Sequence, residues 1–110
     1  MKKFLIFLII IPNLLFAENN ARAKDIVNNY QSSKELKLYA LGIVEGLIHA
    51  DEANFVLTGK NNICYTSGLS LDDFLRVIDA HYLKNKDLWK NTRYVFLANM
   101  ALQVAFPCND

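Results

Sequence analysis

The chain offers little that would build a sheet. Its 110 residues contain four glycines, no Asn-Gly or Asp-Gly step and no sustained apolar-polar alternation, so neither tight hairpins nor half-buried strands are signalled. The spaced residues of common chemistries are missing too: no HExxH helix, no phosphate-cradling glycine loop and no GxSxG turn. Charge of one sign is also scarce. Twelve Lys and Arg stand against 11 Asp and Glu, a formal net charge of +1, and no basic patch argues for nucleic acid.

What is present begins with Lys2-Lys3, the unbroken apolar run Phe4 to Ile11, and Pro12-Asn13-Leu14-Leu15-Phe16-Ala17 ahead of Glu18. That is the order of a secretory signal, with cleavage expected after Ala17. The run is about half the ~20 residues of a membrane-spanning helix; an uncleaved anchor is the rival reading. Cleavage would leave residues 18–110 as a single domain of net charge −1 with no stable membrane anchor.

Exported chains meet an oxidising compartment, and a core this small gains from a disulfide. Cys64 and Cys108 allow one intramolecular pairing. Closing the loop of about 45 residues between them stabilises by roughly 4 kcal/mol on loop-entropy grounds. Two buried thiols or an intermolecular bridge are the alternatives.

The fold class expected is all-α, a small domain of four helices whose disulfide ties the loop before the third helix to the C-terminus. A short first helix covers Ala21 to Tyr30. Ser32 and Glu35 have capping-box spacing and should open a second helix running to about Phe55. On a helical wheel that helix is apolar except for a stripe of Lys34, Glu45, His49 and Glu52, which predicts a central position. Gly42, Gly46, Ala50 and Ala53 line one side of it, where another backbone can come close, from within the domain or from a partner. Thr58 to Gly68 reads as a loop. Ser70, with Asp72 and Asp73 behind it, caps a third helix ending near Leu83.

The last helix is expected from about Asp87 to just before Pro107. Between Tyr94 and Phe106 its polar side chains are Asn99 and Gln103 alone, so it should be enclosed on nearly every side. A domain of this size has difficulty enclosing two such helices. Homodimerisation is the consequence, with Val95, Phe96, Leu97, Met100 and Leu102 as the dimer or partner surface.

Two constellations resemble chemistry. Cys64 and His81 are the residue types of a thiol hydrolase, yet an oxidised cysteine offers no thiolate. Glu45, His49 and Glu52 share a helix face, but zinc prefers more nitrogen or sulfur, and a solvated charged stripe explains them. No catalytic residue, metal ligand or cofactor is expected.

The segment Tyr39-Ala40-Leu41-Gly42-Ile43-Val44-Glu45-Gly46-Leu47-Ile48-His49-Ala50-Asp51, then Cys64 with Gly68 four residues on, Ser70 opening a helix, and the ending Ala101-Leu102-Gln103-Val104-Ala105-Phe106-Pro107-Cys108 together resemble the Rap/Tai family of immunity proteins. The resemblance covers about residues 39 to 108. It implies a small helical periplasmic protein, without enzymatic activity, that protects a bacterium by binding a peptidoglycan amidase effector of a type VI secretion system. An inhibitor of this kind needs a rigid scaffold presenting a shaped loop. Lys60, Asn61, Asn62, Tyr65 and Thr66 are the expected effector-binding residues. A periplasmic acid-stress chaperone, or another non-catalytic binding module, is the alternative.

Overall fold

The computed structural model describes residues 21–109; the expected signal segment, residues 1–17, lies outside them. Five helices follow in order: α1 Ala23–Asn29, α2 Lys34–Thr58, α3 Leu71–Lys84, α4 Lys86–Trp89 and α5 Tyr94–Ala105. The all-α expectation holds, with the last of the four expected helices split in two. The split has a tertiary cause. The Thr92 carbonyl accepts from the Ala23 amide (2.7 Å) and the Tyr94 amide donates to the Ala21 carbonyl (2.9 Å), so residues 92–94 pair with the N-terminal segment rather than continue a helix.

Side-chain caps set two of the helix starts. Ser33, not Ser32, is the N-cap of α2, and its oxygen accepts from the Leu36 amide at 3.3 Å. Ser32 instead donates its hydroxyl to the Asn29 carbonyl of the preceding turn. Ser70 and Asp73 form a reciprocal capping box at α3. The bonds from the Ser70 backbone amide and hydroxyl hold the Asp73 carboxyl below its ordinary range. Gly59, at φ 76°, takes the left-handed conformation that ends α2.

The core lies chiefly between α3 and α5. Phe74, Leu75, Ile78 and Tyr82 from α3 meet Tyr94, Leu97, Ala98, Ala101 and Leu102 from α5, with Ile26 and Tyr30 closing one side. Contrary to the wheel, α2 is peripheral: Ala40, Val44 and Asp51 are its buried residues. Its C-terminal turns overrun the body, leaving Val56 and Leu57 more than four-fifths exposed. The glycine side faces outward as well. A Cβ placed on Gly42 or Gly46 would meet no atom within 4 Å, so close packing inside the domain does not account for these glycines.

The enclosure expected for α5 is also incomplete. Phe96, Met100 and Val104, at i, i+4 and i+8, form an outward stripe and are 59%, 44% and 60% exposed. Leu97 and Leu102 are fully buried in the core. On the core side lies a polar group of three: the Tyr30 hydroxyl donates to Asp79 Oδ2 at 2.5 Å, while Asp79 Oδ1 and the Tyr94 hydroxyl are buried without a hydrogen-bond partner among the described residues. Burial pushes the Asp79 carboxyl up, and it pushes the Tyr30 phenol up to about 12 with help from the Asp79 hydrogen bond. The Asp79 penalty is absent below the ordinary carboxyl value near 3.9 and complete above the raised one, so this group lowers stability as pH rises.

Candidate functional site

The longest irregular segment, from Gly59 to Ser70, is held along its first half by side chains from α2. Asp51 projects from the buried face of α2, one heptad after Val44. Its carboxylate accepts from Asn61 Nδ2 (2.9 Å), the Asn62 amide (2.7 Å) and the Ile63 amide (3.4 Å). One turn later Asn54 Nδ2 donates to the Lys60 carbonyl at 2.9 Å. A carboxylate is tolerated at 8% exposure because it meets three donors.

The second half of the loop is tied to α3 and the C-terminus. Cys64 and Cys108 are joined by a disulfide, with their Cα atoms 5.1 Å apart. The Cys64 amide also donates to the Phe106 carbonyl at 2.9 Å. Tyr65 meets Phe74 edge-on, with centroids 5.3 Å apart, and Phe74 meets Phe106 in the same manner at 5.5 Å. Ile63 is buried between these two sets of ties.

Clamping the base leaves a ridge. Lys60, Asn62, Tyr65 and Thr66 are exposed, whereas Asn61 is half-buried because its amide serves Asp51. An open cleft lies on either side. One, of about 300 Å³, is lined by Ile48, Glu52, Asn61 and Tyr65. The other, of about 340 Å³, runs between α2 and α5 past Asn54, Asn62, Asn99 and Gln103. The effector-facing residues expected from sequence are thus contiguous, while Asp51, Asn54 and Phe106 went unnoticed as their supports. An aspartate on the buried side of a helix was the available signal, because Asp is seldom buried without partners.

The other constellations come apart. Cys64 is consumed by the disulfide, leaving no thiolate for His81 to activate, and His81 lies against Trp89 with ring centroids 5.5 Å apart. His49 stands 3.9 Å from Glu45 and 3.5 Å from Glu52, with all three side chains at least 60% exposed. That is a solvated charged stripe. The expected dimer surface divides: Phe96 and Met100 face outward, Val95 is half-buried, and Leu97 and Leu102 belong to the core. Comparison with known protein families, curated proteins and solved structures finds no match to the chain.

Proposed function

We propose that the chain is an exported periplasmic immunity protein, which neutralises a peptidoglycan amidase effector of type VI secretion by binding it stoichiometrically. The family resemblance supports the target class. The observation that supports the mode of action is the Lys60–Thr66 ridge, whose base is fixed by Asp51, Asn54 and the disulfide while its polar and aromatic side chains remain available. A preorganised ridge binds without the ordering cost of a free loop. Neither a cofactor nor a catalytic group is required for such blockade.

Expressed in the periplasm, the protein should rescue cells from the lytic effector encoded beside it, and the purified pair should form a stable complex. Replacing Lys60, Asn62 and Tyr65 together by alanine should weaken that complex by about 3 kcal/mol, roughly a hundredfold, if the ridge includes the binding hot spot. Asn61 stays in place in this variant because its amide holds Asp51. Undiminished rescue by the triple variant discards the ridge assignment. Failure to bind any adjacent amidase favours the chaperone or other binding-module reading.

A homodimer is part of the same proposal, now through Phe96, Met100 and Val104. Their outward stripe on α5 is an apolar surface that a second copy would cover. Light scattering on the exported protein should give twice the monomer mass at tens of micromolar, and Met100→Glu should return it to one. A monomer in both cases reserves the stripe for another partner.

A further inference from the structure

The fold gathers positive charge that is dispersed in the sequence. Arg22 and Arg93 stand opposite each other in an isolated antiparallel bridge. Beside them the Lys24 amide donates to the Lys90 carbonyl at 3.3 Å, and Lys86 lies one helical turn before Lys90. These five side chains are exposed, and they are half of the ten Lys and Arg that follow Lys3. Among the described residues their one ion pair is Lys90 with Asp87, at 3.5 Å. The Arg22 guanidinium donates to the Asn91 carbonyl, a neutral acceptor that does not balance its charge.

Directly opposed residues of an antiparallel pair send their side chains to the same face, and like charges there repel. Two opposed arginines that pair with no carboxylate among the described residues are therefore an arrangement that folding alone disfavours. An external anion would relieve the repulsion.

We propose that this corner of the molecule is a docking surface for anionic phospholipid headgroups. Leu83 and Leu88, each 60% exposed, alternate in sequence with Lys84, Lys86 and Lys90 around the half-buried Trp89. Exposed leucines and a tryptophan among lysines suit a bilayer interface, where the apolar groups find cover that a soluble polyanion would not provide.

The orientation follows from the helices. Asp72 lies at the other end of α3 from Lys84, about 18 Å away by helical rise. The Cys64 ridge is bonded to Phe106, about 20 Å along α5 from Arg93. With the basic corner on the membrane, the ridge points away from it. This inference rests on the export reading and not on the identity of any effector, since vesicle binding is measured on the protein alone.

The exported protein, purified from the periplasm, is sedimented with vesicles of phosphatidylglycerol and phosphatidylcholine, and with vesicles of phosphatidylcholine alone. Binding is expected to the anionic vesicles in about 0.05 M salt and to be lost near 0.5 M, as the screening length shortens. The double variant Arg22→Gln, Arg93→Gln should bind about 25-fold more weakly, about fivefold per residue. Relief of the arginine repulsion keeps this variant folded. The charge-matched pair Lys34→Gln, Arg76→Gln, outside the patch, should change binding less than about threefold. Equal loss in both pairs would show an effect of net charge and overturn the patch. Equal binding to both vesicle types, or retention on heparin with no vesicle binding, overturns the lipid assignment.

Discussion

Replacing Asp51 by alanine is expected to lower the unfolding free energy by about 3 kcal/mol and to free the loop ahead of Cys64. The carboxylate is the common acceptor for Asn61 Nδ2 and for the Asn62 and Ile63 amides, and no other side chain among the described residues receives all three. Charge-assisted bonds contribute about 1.5–3 kcal/mol each, and solvent can repair only the bond at exposed Asn62. Asp51→Asn keeps one acceptor oxygen and should lose about half as much. Urea unfolding gives the free energies, and hydrogen exchange locates the effect: the Asn62 and Ile63 amides should exchange at least tenfold faster in the alanine variant, on the order of 1.4 kcal/mol of lost protection, while the α3 amides stay as they were. Unchanged exchange at those two amides would remove Asp51 as the clamp, and with it the account of how the ridge is held.

That clamp also shows where sequence reasoning reached its limit. Periodicity and caps located the helices because both are local: Ser70 with Asp73, or the recurrence of Phe74, Ile78 and Tyr82, need no partner beyond the next turn. The disulfide was legible because two cysteines leave one pairing. The features that went unseen are all made between distant segments. Residues 92–94 pair with 21–23 and interrupt what local propensity would have continued, and the same pairing brings Arg22 against Arg93. The wheel of α2 counts apolar residues without knowing how far the helix extends past its neighbours, so Phe55, counted on the apolar circumference of a central helix, is 52% exposed. Asp51 has no legible role in the sequence beyond the family resemblance, because its three donors lie 10 to 12 residues further on in a segment with no repeating pattern.

Loss of the disulfide should be the other large effect. Cys108→Ser is expected to cost about 2–5 kcal/mol, which lowers the melting temperature of a domain this size by roughly 10–30 °C. The bond closes a loop of 44 residues that contains all of α3, α4 and α5, so its removal returns chain entropy chiefly to the unfolded state. In the native state the Cys64 amide still has the Phe106 carbonyl, and Phe106 still has Phe74, so the loop base is weakened without being dismantled. A second variant separates this mechanism from the harm of a lone exposed thiol: Cys64→Ser, Cys108→Ser should be as unstable as Cys108→Ser, because the crosslink is already gone. Reduction of the wild-type protein should bring it to the same stability. Mass spectrometry of the unreduced protein should show both sulfurs protected from alkylation. Two alkylatable thiols would contradict the pairing, and a single variant much less stable than the double would assign the loss to the unpaired cysteine rather than to the opened loop.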